Sequence, residues 1–350
     1  MPAAAPLRAT ARRRRLRWAN LPDEELLDVR LCDLHLSLAG SAIAPYLARL
    51  RRELRARGVA VWPDFWIATD WFSPDDVAGV AIPFYVVHPR LRRLERAQMG
   101  EVEGGTPATC MKLLRHEVGH AVDHAYRLHE RDDWRMTFGR YSQPYRWSYS
   151  ARPFSKRYVQ HLDRWYAQSH PAEDFAETFA VWLTPKSAWR KRYDGWPARE
   201  KLEYVDWVMG ELAGKPPRPR RRERPDEIGG LKTTLRAYYA QKSARYRRDR
   251  GRFFDRALLR LFAKREHGAR GMPADRFLRR VRPRILRAVA RWTGHYQYTV
   301  ESVLDELIER ADTLDLVLDG DADDAAIDAA ILLTMQTRDY VHRGYHRLLR

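Results

Sequence analysis

Between Pro107 and Pro144 the chain carries no proline, and inside that run stands His116-Glu117-Val118-Gly119-His120. Apolar residues at 113, 114, 118, 121, 122 and 125 recur with helical spacing, so the segment reads as one long, partly buried helix. Residues four apart share a helix face, one turn above the other. His116 and His120 can therefore aim ring nitrogens at one ion, with Glu117 beside them near a metal-bound water. Two imidazoles leave a tetrahedral zinc short of one protein ligand, which a carboxylate from elsewhere must supply. The competing reading is a helix with two surface or cap-satisfied histidines.

His124 continues the same face, but it lies roughly 12 Å along the axis from His116 at ~1.5 Å per residue. Ligands of one tetrahedral ion sit only a few ångströms apart, so His124 reads as a solvated or supporting residue. The extension that adds a glycine and a third histidine after the second ligand is missing, because Asp123 and Tyr126 stand at those positions. The glutamates remain. Glu173 and Glu177 are again four apart in a breaker-free stretch, Ala172 to Leu183. One can ligate while the other holds a ligand histidine through its free ring nitrogen.

The stretch Trp165 to Ala180 resembles the Tyr-Ala-x-x-His-Pro-x-Glu-Asp-x-Ala-Glu-x-x-Ala block of a bacterial family of zinc-binding metallopeptidases. It is also similar to the end of the anthrax lethal factor catalytic domain, which likewise has a His-Glu-x-Gly-His-Ala-Val-Asp helix. The resemblance covers roughly 21–213 and implies a gluzincin, a zinc peptidase whose third ligand is a glutamate. It implies Glu173 as the ligand, Glu177 as its support and Tyr166 as a residue that assists the transition state. Asp123 is counted with Glu177 among the supporting residues. His170 is a candidate for polarising the scissile carbonyl, the alternative being a turn role before Pro171. Glu117 is the expected general base, zinc the cofactor, and a peptide or protein the substrate. The lethal factor likeness hints at a toxin-like protease with a narrow protein target.

The net charge of +18 is unevenly placed. Six arginines and no acids occupy residues 1–20, which read as a disordered basic arm with no apolar core of a secretory signal. Residues 231–300 hold 20 lysines and arginines against 4 acids, whereas residues 301–350 hold 5 against 12. Arginines mixed with Tyr238, Tyr239, Tyr246, Phe253 and Phe254 suggest a surface for nucleic acid or an acidic protein across 231–300. The competing reading pairs those arginines with the acidic 301–328 segment of the same bundle. No apolar run reaches the length of a membrane span. Cys32 and Cys110 cannot make a disulfide framework, which favours a reducing cytoplasm. Cys110, six residues before His116, reads as a small buried helix residue rather than a ligand.

The expected fold class is α+β. A zincin-like domain over 21–213 would combine a small mixed sheet, the motif helix and a helical lower lobe from about 126 to 209. Strands are expected at 28–38, 59–72 and 79–87, and a helix at 42–57 ending at Gly58. The segment Gly79 to Phe84, or its neighbour, would offer an edge to an extended substrate, and Pro83 suits an edge strand. Proline and arginine crowd residues 214–230, which read as a linker. Beyond it, 231–350 would be an all-α domain with helices near 231–265, 273–293, 296–318 and 322–348. The Asp319–Asp324 run lacks the glycine and the glutamate of a calcium loop. The second functional reading is a nucleic-acid-binding protein whose zincin body is structural or inactive.

Overall fold

The computed structural model describes residues 16–99, 102–145, 152, 155–217, 223–248, 254–265, 271–293 and 297–342. Most of the expected basic arm lies outside the described residues. Its end does not behave as an arm, because Arg17–Asn20 forms a 3-10 turn that buries Trp18, whose Nε1 donates to the Leu34 carbonyl at 2.9 Å.

After α1 (Asp23–Leu27), the expected strand at 28–38 is a 3-10 turn, Leu31–Leu34, closed by His35 at φ +45°. The alternation is misleading here, since Leu31 and Leu34 are buried by the three-residue period of a turn. Helix α2 (Ala44–Ala56) follows, and Gly58 at φ +70° ends it in the left-handed conformation that glycine accepts without cost. Strands β1 (Asp64–Ala68) and β2 (Gly79–Pro83) pair in parallel, shorter than expected, and the chain turns helical at once in α3 (Phe84–Val87) and α4 (Pro89–Met99).

The expected free edge at 79–84 is occupied. Phe72 bridges Ala81 in the antiparallel sense, accepting its amide at 2.8 Å, and Ser73 Oγ bonds the Gly79 carbonyl, so β2 is flanked on both sides and wholly buried. Pro83 is accommodated at the last residue of the strand, where a missing donor matters least.

Helix α5 (Pro107–Tyr126) carries the histidine motif. Thr106 caps it, Pro107 starts it, and Arg127 at φ +54° ends it. It packs on α7 (Pro171–Leu183), which in turn meets α6 (Asp132–Phe138) and α9 (Ala198–Glu211), with α8 (Trp189–Arg192) against α9, the helical lobe the sequence suggests. A bidentate ion pair between buried Arg115 and Glu53, at 2.8 and 2.9 Å, ties α5 to α2.

Two large hydrophobic cores are separate among the described residues, beside a small cluster of Trp66, Ala68 and Ala81. The first runs from Trp18 to Tyr239, and the second from Phe254 to Leu333. Helix α10 (Leu235–Arg248) thus packs with the first body, not with the region beyond the linker where the sequence places it. Leu235 and Tyr239 are buried there, and Lys242 reaches Glu95 at 2.8 Å. The second core joins α11 (Asp255–Leu261), α12 (Ala274–Thr293), α13 (Gln297–Thr313) and α14 (Ala322–His342). It is not wholly helical, since β3 (Ala263–Lys264) and β4 (Leu316–Val317) pair antiparallel.

Two arginines of the basic stretch meet acids that follow it, Arg282 with Glu301 and Asp305 and Arg265 with Asp315, while Arg310 of the acidic segment pairs with Asp255. Tyr239 and Phe254, two of the aromatics that suggest a nucleic-acid surface, are buried, while Tyr246 and Phe253 lie outside the described side chains. Asp321 caps α14 by accepting the amides of Asp323 and Asp324. No described helix is long and apolar enough to cross a membrane.

Candidate metal centre

Helices α5 and α7 meet at a glycine. A Cβ on Gly119 would lie 2.9 Å from the Ala176 Cα and 3.1 Å from its carbonyl oxygen, so only glycine lets the two backbones approach this closely. The approach sets Glu173, one turn before Ala176, against the histidine face of α5.

There the three donors converge. Glu173 Oε2 lies 3.0 Å from His116 Nε2 and 3.1 Å from His120 Nε2, and the two ring nitrogens are 3.2 Å apart. Ligands at zinc distances of about 2.0–2.1 Å on a tetrahedron are roughly 3.3 Å from one another. The three edges are close to that value, and two imidazoles with one carboxylate are a donor set zinc accepts, so the residues fit the ion.

Glu177 meets His116 at its other ring nitrogen, where the family resemblance would have it. Its Oε1 is 2.9 Å from His116 Nδ1, and its Oε2 accepts the Leu162 amide at 2.8 Å. A proton on Nδ1, donated to that carboxylate, leaves the Nε2 lone pair for a metal. Burial disfavours the His116 imidazolium, but Glu173 and Glu177 outweigh it and hold the metal-free pKa well above the usual histidine range. Burial likewise opposes the Glu173 charge, yet His120 and His116 hold its pKa well below the ordinary glutamate value.

Glu117 is buried beside this cluster and accepts no hydrogen bond from a described residue. Burial pushes its carboxyl above the ordinary glutamate value, with His116 and His120 offsetting part of the shift. Tyr166 sits on the 3-10 turn Asp163–Gln168, directly after Trp165 at φ +54°, with its ring centroid 5.5 Å from that of His116. Trp165 is a bulky residue in the left-handed region, a cost of order 1–3 kcal/mol that the surrounding packing must sustain.

Two expected roles change. His170 is the N-cap of α7, its Nδ1 accepting the Ala172 amide at 3.1 Å and its Nε2 meeting the Gln143 carbonyl at 2.8 Å. Both ring nitrogens are engaged, so His170 holds the helix start and has no donor to offer a substrate carbonyl. Asp123 makes no hydrogen bond to His116 or His120 among the described residues. Its two oxygens hold His129 instead, through the amide at 2.8 Å and Nδ1 at 3.1 Å.

Sequence reasoning missed Tyr145. Its hydroxyl donates to Glu173 Oε1 at 2.9 Å, and its ring stacks on His170 with centroids 3.7 Å apart. Nothing in the spacing signals it, since 28 residues of sequence separate donor and acceptor. Cys110 is buried and inert, its thiol pushed up to about 12 by burial.

No curated protein and no solved structure matches the chain, so the likeness to anthrax lethal factor rests on the motifs alone. Residues 83–190, which carry His116, Glu117, His120, Tyr145, Tyr166, Glu173 and Glu177, match the model of the family described as "Putative zinc-binding metallo-peptidase".

Proposed function

We propose that the protein is a zinc-dependent peptidase of the gluzincin type, with His116, His120 and Glu173 as ligands and Glu117 as general base. The convergence of three ligand atoms beside a buried, unengaged glutamate carries this reading. Zinc held there would supply Lewis acidity and bring a bound water's pKa to about 7.

The chain's own groups do the rest. Glu117 takes a proton from the attacking water and passes it to the leaving amine, a role its raised pKa suits. Tyr166, next to His116, offers a hydroxyl to the developing oxyanion. Glu177 fixes the His116 tautomer and ring orientation, and Tyr145 orients Glu173 from the side away from the histidines.

The test separates ligation from chemistry. Glu117→Gln should keep about one zinc per chain at these three ligands and lose peptide hydrolysis by about 10²–10⁴-fold. Glu173→Ala should lose both zinc and activity. Failure of purified protein, supplied with zinc and freed of excess, to retain any zinc that depends on His116 and His120 overturns the reading.

A further inference from the structure

One turn past His120, a second group of ligand-type side chains comes together: Asp123, His124 and His129, each offering an atom within 4.8 Å of the others. Asp123 and His124 are buried, and His129 is 13% exposed at its side chain. The mechanism above uses none of them.

The spacing on the open side is informative. His124 Nε2 faces Asp75 Oδ1 at 3.7 Å, too long for a hydrogen bond and near the roughly 3.3 Å that separates two ligands of one zinc. Asp75 is also held from outside, accepting the Tyr141 hydroxyl at 2.8 Å, while the Tyr141 ring stacks on His129 with centroids 4.2 Å apart. Three separate chain segments, around 75, 123–129 and 141, are thus linked through Asp75, which borders the group at His124. Asp75 is 57% exposed and gives an ion a way in.

We propose that Asp123, His124 and His129, with Asp75 on the solvent side, form a second, structural site for zinc or a similar borderline divalent cation. Two imidazoles and carboxylate oxygens are the donors such ions take in preference to magnesium or calcium. The bound ion would pin the loop bearing Asp75 and the segment bearing Tyr141 to the C-terminal end of α5. One contact opposes it: the Asp76 amide donates to His124 Nδ1 at 3.3 Å. Ligation through Nε2 makes Nδ1 the protonated nitrogen, so that long hydrogen bond must give way. This site does not rest on the peptidase reading.

The experiment is metal stoichiometry on the full chain, stripped with chelator, dialysed against zinc, freed of excess and measured by plasma mass spectrometry. Two zinc ions per chain are expected in the wild type, one in His116→Ala/His120→Ala, and one in His124→Ala/His129→Ala. Should the second double variant fail to fold, Asp75→Asn changes only a half-exposed residue and should weaken the same ion at least tenfold. In His116→Ala/His120→Ala, zinc should still raise Tm, and adding Asp75→Asn should diminish that rise. A single wild-type zinc that depends only on His116 and His120 overturns this proposal and leaves the peptidase reading standing. A single zinc that depends only on His124, His129 and Asp75 does the reverse. Two ions indifferent to His124, His129 and Asp75 also overturn it.

Discussion

His116 shows how closely ligation and proton binding are tied at single residues. Without metal, Glu173 and Glu177 hold a proton on its ring above the ordinary histidine range. Zinc must displace that proton, so affinity should fall as pH drops through the elevated His116 value, by up to about tenfold per unit. Zinc titrations between pH 6 and 9 against a competing chromophoric chelator would read the slope, and a flat profile would contradict it. Removing the support should matter without removing a ligand: Glu177→Ala should weaken zinc by about 10–100-fold. Asp174 gives a separate pH effect. Burial pushes its carboxyl up to about 7, with Lys201 at 2.5 Å offsetting only part. The folded state then holds a proton that the unfolded chain releases near the ordinary carboxylate value. Its contribution to stability is full in acid and is lost as pH rises to about 7. Urea unfolding of wild type and Asp174→Asn at pH 5 and 8 should show a shallower pH slope in the variant.

Elements deliver these residues through two contacts. The first is the crossing of α5 and α7 at Gly119 and Ala176, where a methyl group would meet backbone. Gly119→Ala should cost about 1–3 kcal/mol of unfolding free energy and weaken zinc binding as well, because the shift that relieves the clash moves Glu173. The second is the Arg115–Glu53 pair that anchors α5 on α2. Glu53→Ala leaves a buried guanidinium unpaired and should cost about 3–5 kcal/mol by chemical denaturation. The helices themselves are legible in the sequence, since α2, α5 and α7 have clear periodicity and recognisable ends. Strands β1 and β2 are legible too, though shorter than expected, whereas the turn at Leu31–Leu34 is not. Leu31 and Cys32 donate their amides to the Thr233 and Leu231 carbonyls, about two hundred residues away, and such a partner leaves no local pattern.

At the scale of the whole molecule, the boundary between the two cores lies after α10 and not at the proline-arginine stretch. Compositional breaks mark where the chain is polar, whereas a core is defined by what its apolar residues touch. Leu235 and Tyr239 sit in the first core, so a chain ending at residue 230 should lose several kcal/mol, at roughly 1.5–3 kcal/mol per buried side chain. A chain ending at 248 keeps that core and should bind zinc at His116, His120 and Glu173 as the full protein does. Thermal unfolding and zinc content of the two truncations would decide it; equal Tm values would place α10 outside the body. The uneven charge is also partly internal, with Arg282, Arg310 and Arg265 meeting acids of their own bundle.

Local periodicity by itself determined the helices, the shared face of His116 and His120, and the pairing of Glu173 with Glu177, because a helix turns neighbours in sequence into neighbours in space. The family resemblance singled out Glu173 as the ligand. Only the tertiary structure decided that His170 caps a helix, that Asp123 turns to His129, that Tyr145 holds Glu173, and that α10 belongs with the first core. Each of these depends on contacts between segments far apart in the chain, and no spacing rule encodes a hydrogen bond or an apolar contact between residues that meet only on folding.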